Sequence, residues 1–367
     1  MKRTKILHIF GIMNRGGAEM RTLSVMSALK EQGVDFEFCV LSGQQGVLDD
    51  VIREKGGEVH YCKLGLGFVT RFIGLIKSGQ YDVVHSHVSL VSGFILLLAR
   101  LAGAKRRVSH FRSSADAATT SVVRRIRNVF LKRLVLANAH QILAVSYGSL
   151  NGYWDGVWQR NKRFSVVYNG FNIPSIPYQN DFWNSLIKGY DGSNVIVNVG
   201  RMDPPKNHLR QVKVFQRYLA RVPNANMVFI GKESDAVKQS MIDYASEHGF
   251  ASHLVFLGEQ PDVLPYVRHS TAMLFPSLWE GLPGALIEAA SVGVPVLGSA
   301  IPGVKEVAKQ LPIVEYLELS ESDEAWAAKL QQMIEGKPDY DVAIEAFNRS
   351  DFLLKANVDR LYGIYTG

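Results

Sequence analysis

Two glutamates eight residues apart, Glu280 and Glu288, bracket the stretch Phe275-Pro276-Ser277-Leu278-Trp279-Glu280-Gly281-Leu282-Pro283-Gly284-Ala285-Leu286-Ile287-Glu288. The apolar run 271–275 reads as a buried strand. A loop holding Glu280 and Gly281 follows, and Pro283 suits the first turn of a helix, where its missing N–H costs nothing. Residues 285–290 then read as helix. Strand, glycine-containing loop and helix N-terminus together make an anion site, because unpaired N–H groups and the positive end of the helix dipole point at one spot. Carboxylates beside such a site suit hydroxyls rather than phosphate, such as those of a ribose or a sugar. The combination indicates a sugar nucleotide. The competing reading makes Glu280 a helix cap and Glu288 a solvated helix residue.

The same pattern recurs upstream. A strand at 195–199 runs into Gly200-Arg201-Met202-Asp203-Pro204-Pro205-Lys206-Asn207-His208, and a helix follows at 209–219. A guanidinium and an ammonium at the C-terminal end of a strand suit a pyrophosphate, one as a bidentate donor and the other as a point charge. Two surface cations in a loop are the alternative. At the N-terminus a strand at 5–10 enters Gly11-Ile12-Met13-Asn14-Arg15-Gly16-Gly17, and a helix spans 18–32. Gly16 and Gly17 would let the backbone approach a ligand, or merely make a tight bend. The spacing is not the dinucleotide fingerprint, and the strand at 36–41 ends in Leu-Ser with no acidic residue to hold a ribose, which disfavours a nicotinamide dehydrogenase. His110 ends a strand at 107–111, before the polar loop 112–120. His85 and His87 are assigned to opposite faces of their strand, hence a poor metal pair, with at least one of them structural.

These residues need a scaffold, and the remaining pattern supplies one. In the first half, strands at 58–62, 83–87 and 141–145 alternate with helices at 47–55, 69–77, 90–101 and 122–137. In the second, strands at 227–230, 254–257, 272–275 and 295–297 alternate with helices at 236–248, 263–268, 285–292 and 304–309. Such alternation implies α/β domains with doubly wound parallel sheets, whose ligands sit at the strand C-terminal ends. With 367 residues, two domains are expected. Turn signals after 164–168 and loosely patterned sequence to 194 set the boundary: residues 1–170, with a terminal helix in 351–367, and residues 171–350.

Composition narrows the class. The chain is 47% hydrophobic and 20% charged, a globular balance, and its two cysteines indicate a reducing compartment without a disulfide framework. The net charge of +7 divides unevenly: residues 1–168 carry 24 Lys/Arg and 11 Asp/Glu, about +13, and the rest about −6. A basic half suits an anionic surface or ligand. No nucleic-acid motif is present, so that partner is not expected. The basic N-terminus has a short apolar run interrupted by His8 and no cleavage signal, and 88–99 is too short to span a bilayer; a cytoplasmic protein is expected. The helix at 122–137 interleaves Arg124, Arg125, Arg127, Lys132 and Arg133 with apolar residues, a composition suited to an anionic membrane surface or to an ordinary charged outer face.

The chain resembles the retaining GT-B glycosyltransferases of family GT4. The resemblance spans essentially the whole length. It rests on the Asn14-Arg15-Gly16-Gly17-Ala18-Glu19 glycine loop, the strand-end His110, the Arg201/Lys206 pair and the Glu280/Glu288 pair, in that order. Met13 to Glu19 and Pro276 to Pro283 are most similar to bacterial exopolysaccharide and capsule enzymes. The resemblance implies two Rossmann-like domains facing across a cleft, the terminal helix packing back on the first. It implies transfer with retention, from a nucleotide-diphosphate sugar, most readily a UDP-sugar, to a glycan acceptor; the basic first half suits a polyprenyl-diphosphate-linked acceptor at the inner face of the cell membrane. Arg201 and Lys206 would neutralise the diphosphate. Glu288 would hold the ribose, while Glu280 and the Gly281 and Leu282 amides would hold the sugar. Gly16 and Gly17 would let the acceptor's domain close on the donor phosphate, and His110 would support the reacting sugar. The loop 258–262 would meet the base, largely through main chain. No cofactor and no divalent metal is implied; the one D-x-D, Asp339 and Asp341, does not end a strand. Alternatives are a UDP-sugar 2-epimerase of the same fold and a catalytically silent membrane-docking partner.

Overall fold

The computed structural model describes residues 3–113 and 121–367, so 114–120 of the polar loop singled out above lie outside it. The chain divides into two compact units, residues 1–170 with 354–367, and residues 171–353.

The first unit is built on seven parallel strands in the order β3-β2-β1-β4-β5-β6-β7. These are β1 Thr4–Phe10, β2 Val34–Val40, β3 Glu58–Tyr61, β4 Val83–Ser86, β5 Arg106–Phe111, β6 Gln141–Ala144 and β7 Phe164–Val166. Between them run α1 Gly17–Glu31, α2 Asp49–Glu54, α3 Phe68–Gly79, α4 Ser92–Leu101, α5 Val122–Asn138 and α6 Tyr147–Trp154. Alternation along β1 divides the core between the two faces of the sheet. Leu7 and Ile9 pack with Phe72, Ile95 and Val135, whereas Ile6 and Phe10 pack with Leu23, Met26 and the terminal helix residues Val358, Leu361 and Tyr365. Helix α2 is shorter than its apolar spacing suggests, because the Val47 N–H donates to the Asn14 side chain at 3.1 Å and leaves the helix. Helix α4 starts at Ser92, after a 3₁₀ turn at Ser89–Val91 that Ser89 enters with φ +47°.

The second unit repeats the plan with six parallel strands, β10-β9-β8-β11-β12-β13. They are β8 Val195–Val199, β9 Asn226–Ile230, β10 Leu254–Phe256, β11 Ala272–Phe275, β12 Val296–Ser299 and β13 Val314–Leu317. Its helices are α7 His208–Leu219, α8 Asp235–Glu247, α9 Leu264–Arg268, α10 Gly284–Ser291, α11 Pro302–Ala308, α12 Asp323–Glu335 and α13 Tyr340–Asn348. The last helix, α14 Leu354–Thr366, belongs to the first unit. It starts later than the terminal element expected from 351, because residues 352 and 353 stay with the second unit: Phe171 donates its N–H to the Phe352 carbonyl at 2.9 Å and bridges Leu353. Among the described residues no helix is long and apolar enough to cross a membrane. Both sheets being wholly parallel with their strand order reversing once, the fold is two Rossmann-like α/β units.

Candidate active site

In the second unit the strand order reverses between β8 and β11. That switch point is where open parallel sheets bind ligands, beyond the strand C-termini. The loops leaving these two strands, residues 200–207 and 276–283, carry Arg201, Lys206, Glu280, Gly281 and Leu282. Two hydrogen bonds join the two loops. The Leu278 N–H donates to the Pro205 carbonyl at 2.8 Å, and the Asn207 side-chain amide donates to the Pro276 carbonyl at 3.2 Å. Asn207 holds φ +54°, a left-handed conformation that asparagine tolerates better than most residues. A third loop closes in from β9: a Cβ on Gly231 would lie 2.3 Å from the Gly200 carbonyl oxygen, so only glycine fits there.

Lys206 and Glu280 meet, Nζ to Oε1, at 2.7 Å, with side chains only 19% and 16% exposed. The ammonium lies 4.8 Å from the centre of the Phe275 ring. Its stem crosses Gly200, where a Cβ would sit 3.0 Å from Lys206 Cε. Glycine at 200 thus makes room for the lysine that spacing singled out. Arg201 is placed differently. Its side chain is 76% exposed and pairs with Asp203 at 3.3 Å. The structure therefore joins Lys206 to a carboxylate from the neighbouring loop and leaves Arg201 at the surface, a distinction that the five-residue spacing could not make. Glu288 lies half-buried in the second turn of α10. Pro283 stands one place before that helix rather than in its first turn, and no side chain caps it, so the first-turn N–H groups have no intrahelical acceptor. Leu282 is 9% exposed and anchors the loop. Gly303 of α11 approaches from beneath: a Cβ there would be 3.0 Å from the Gly281 carbonyl oxygen. Gly303 went unassigned above, although Pro302 at the first helical position signals this helix start.

In the first unit Gly16 caps α1 in an extended conformation and Gly17 opens it. Among the described residues a Cβ on Gly17 would meet nothing within 4 Å, whereas one on Gly16 would strike the Glu19 carboxylate. Toward those residues the space beside Gly17 is open; that beside Gly16 is taken. His110 is 1% exposed. Its ring stacks on His85 with centroids 5.3 Å apart and lies 5.6 Å from His87. Neither of its ring nitrogens has a hydrogen-bond partner among the described residues.

His85 and His87 correct the expectation made for them. Residues two apart along an extended chain share a face, and their rings lie 4.2 Å apart on the face that also carries His8. A chain of hydrogen bonds fixes their protons. The Arg112 Nε donates to His87 Nδ1 at 3.2 Å. A guanidinium cannot accept, so His87 carries its proton on Nε2 and donates it to His8 Nδ1 at 3.0 Å. His85 Nδ1 meets the Tyr365 hydroxyl of α14 at 2.7 Å. Burial, reinforced by the Arg112 charge, lowers the His8 pKa to about 3. Burial likewise drives His85, His87 and His110 well below the ordinary histidine value. Arg112 itself is lowered to about 10 by burial and stays cationic. One nitrogen each of His8, His85 and His87 lies within 4.8 Å of the others, close enough to share a cation. The guanidinium on His87 opposes one, and the His8–His87 bond already occupies two of the nitrogens. Glu37, Glu58 and His60 form the other such group; there Glu37 already binds His60 at 2.8 Å and Lys5 at 2.6 Å. Asp339 stands at the N-cap position of α13 without a side-chain capping bond, and Asp341 lies in the first turn.

Residues 16–170 match the family described as glycosyl transferase 4-like domain, and residues 181–349 match glycosyl transferases group 1. The chain is 34% identical over 337 residues to the capsular polysaccharide biosynthesis glycosyltransferase CapH of Staphylococcus aureus, covering 91% of each. It is 25% identical to an Escherichia coli UDP-Gal:alpha-D-GlcNAc-diphosphoundecaprenol alpha-1,3-galactosyltransferase, over 62% of this chain and 60% of that one. In fold it is similar to Anabaena HepE, solved in complex with UDP and glucose, with a TM-score of 0.77, 17% identity and 98% of each chain covered.

Proposed function

This chain belongs to the glycosyl transferases group 1, and from that premise we propose that it moves a sugar, with retention, from a UDP-sugar to a lipid-linked glycan acceptor in the building of a bacterial surface polysaccharide. The observation that carries this reading is the Lys206–Glu280 pair at the switch point beside the uncapped start of α10. A half-buried ammonium held in place before substrate arrives costs no reorganisation when charge develops on a departing diphosphate. The α10 N–H groups add donors to the same spot. Arg201, exposed and loosely paired, swings in as the second cation. Glu288 takes the ribose hydroxyls. Glu280 orients the sugar hydroxyls together with the Gly281 and Leu282 amides, and no metal is needed to screen the phosphates. In the first unit the open space beside Gly17 admits an anionic group. His110, buried, is a positioning residue that backs the strand end rather than touching the sugar. The UDP-dependent reaction in the Escherichia coli relative's name and the UDP in the HepE complex support uridine as the base.

Calorimetric titration with UDP, GDP and ADP in chelator tests this reading. UDP alone is expected to bind, and Arg201→Ala and Glu288→Ala are each expected to weaken it at least about tenfold, the loss of one charge-assisted contact. If no nucleotide binds, the transferase reading fails in favour of the silent docking partner. If UDP binds and the UDP-sugar isomerises without any acceptor, the 2-epimerase takes its place.

Gly17 supplies an independent check. Gly17→Ala removes a glycine from the first helical position and adds a Cβ that meets no atom of the described residues within 4 Å. Its melting temperature is expected to stay level or rise slightly, since glycine costs up to about 1 kcal/mol relative to alanine inside a helix. Gly17→Leu is expected to keep the fold and lose transfer. Undiminished turnover in Gly17→Leu would mean that nothing binds in this space.

A further inference from the structure

A hollow of about 750 Å³ opens in the first unit at the edge where its strands begin. Lys105 and Arg106 stand at the start of β5, His140 just before β6 and Lys162 just before β7, while Arg360 comes in from α14. Strand β5 is six residues long, so this edge lies roughly 20 Å from the strand C-termini, where parallel sheets receive their substrates. Two of the charges in the lining are already matched. Arg106 donates to the Ile364 carbonyl at 2.6 Å and to that of Gly367 at the end of α14. Asp359, the one carboxylate, is held by Lys355 at 2.5 Å. Lys105, Lys162 and Arg360 are exposed, and their side chains make no hydrogen bond or ion pair among the described residues. On the wall, the Arg107 backbone N–H donates to His140 Nδ1 at 3.1 Å, so the neutral ring carries its proton on Nε2. That N–H faces the Arg107 guanidinium, Nε2 to Nη2, at 3.2 Å. The guanidinium already donates through Nε and Nη1 to the Asn138 and Ala104 carbonyls. Two donors thus point at one spot, where an anionic oxygen accepts from both. Burial, with the charges of Arg107, Arg106, Arg163 and Arg100, holds the His140 pKa below the ordinary histidine value, in keeping with a neutral ring in a strongly positive field.

We propose that this hollow binds a compact, soluble inorganic anion of the diphosphate class, at a regulatory site on the edge of the sheet away from the chemistry. The unmatched cations select the charge. A carboxylate offers one negative charge against Lys105, Lys162 and Arg360, whereas a diphosphate offers two phosphoryl centres. The shape selects a small molecule rather than a surface or a chain. No exposed large apolar side chain lines the hollow, since Phe164 is buried and Ile364 half-buried in its floor, so a lipid gains nothing there. A nucleoside gains little more, because both nitrogens of the His140 ring lie against Arg107. Once bound, the anion ties the starts of β5, β6 and β7 to the last turns of α14. Such an anion is what nucleotidyl transfer to a sugar phosphate releases, the class of reaction that must supply a nucleotide-diphosphate sugar; that link alone rests on the function proposed above. Gly363 of α14 also lines the hollow, and a Cβ there would meet no described atom within 4 Å, so a side chain at 363 enters the same space.

Calorimetric titration of the full chain with inorganic pyrophosphate and with orthophosphate tests it, in chelator and with UDP at saturation to fill the donor site. Pyrophosphate is expected to bind at least tenfold more tightly than orthophosphate and to raise the melting temperature. Lys105→Glu/Lys162→Glu is expected to weaken pyrophosphate at least tenfold. Gly363→Glu is expected to do the same while removing no cation, and its melting temperature should not fall, because it replaces a glycine inside a helix. An unchanged UDP affinity shows that each variant is folded. Lys206→Ala is expected to keep pyrophosphate binding. Absence of pyrophosphate binding in the wild type would overturn the proposal, as would its retention by either glutamate variant. Equal affinity for the two phosphates would reduce the hollow to diffuse attraction and overturn it as well. Loss of pyrophosphate binding in Lys206→Ala would move the anion to the second unit, with the same result. Failure of the wild type to bind UDP bears on the transferase reading and leaves the pyrophosphate comparison to decide this one.

Discussion

Lys206→Ala is expected to lower kcat about 10²–10³-fold while leaving nucleotide affinity comparatively intact. The asymmetry follows from when the charge is needed. In the proposed reaction the ground-state donor already spreads its charge over two phosphates and would be met by Arg201 and the α10 amides. The extra negative charge that develops as the sugar–phosphate bond breaks is the part a fixed ammonium serves, and one such preorganised group is worth about 2.7–4 kcal/mol. The substitution also strands Glu280, whose carboxylate is 16% exposed and is held by Lys206 at 2.7 Å. Removing one member of a partly buried pair costs stability as well. Lys206→Met separates the two effects. It keeps the stem over Gly200 and against Phe275 but removes the charge. If Lys206→Met matches Lys206→Ala in kcat and exceeds it in melting temperature, the ammonium acts on the reaction and the stem on the fold. A kcat within threefold of wild type for Lys206→Met would remove Lys206 from the reaction.

Glu280→Gln keeps an acceptor for Lys206 and for sugar hydroxyls, so its loss is expected to be smaller, about tenfold, and to fall more on KM. The spacing of the paired glutamates is visible within fourteen consecutive residues. The lysine's partner is 74 positions away, and only folding brings the two strand ends side by side.

That contrast describes what was legible more generally. Each strand, loop and helix around the site is local, so the short continuous apolar runs, the glycines and Pro283 just before the helix exposed it directly. Helix α12 was not assigned from the sequence, although Ser322, whose side chain accepts the Ala325 N–H, and Trp326, Ala327, Leu330 and Met333 at helical spacing mark it. Strand β13, at the sheet edge with only Val314 fully buried, carries a weaker signal. What no local pattern holds is the histidine cluster. His8, His85, His87, His110, Arg112 and Tyr365 come from β1, β4, β5, the turn after it and α14, and they meet because the parallel register sets His8 beside His85. The exposure of Ile126 and Phe130 on α5 is likewise a tertiary fact. Its residues are the kind a core would bury, and only packing decides that Leu131 and Val135 face inward while Ile126 and Phe130 do not.

The histidine cluster leads to the second large expected effect: acid should unfold the first unit at a pH where the second still stands. His8, His85, His87 and His110 are neutral in the fold, with pKa values lowered by burial, that of His8 to about 3. In the unfolded chain each titrates near 6.5. Below that pH the unfolded state binds more protons than the folded one, so stability falls as pH falls, by at most about 1.4 kcal/mol per pH unit for each histidine. The contribution is complete above pH 6.5 and is lost continuously down toward the folded pKa values. With four such groups acting together, one pH unit below 6 removes an amount comparable to much of a domain's net stability of about 5–15 kcal/mol. The second unit has one histidine of this kind, His208, lowered to about 4 chiefly by burial, and should lose far less. Scanning calorimetry from pH 7.5 to 4.5 is expected to show one transition moving down steeply and the other slowly. His110→Leu should flatten the steep one by about one proton's worth, since neither ring nitrogen makes a hydrogen bond to a described residue that leucine would forfeit. Two transitions that shift in parallel, or a His110→Leu protein with an unchanged slope, would mean that the cluster takes up protons without unfolding. The Arg112 charge argues against that. It sits on His87 itself, and any second cation there would have to share the same dry space.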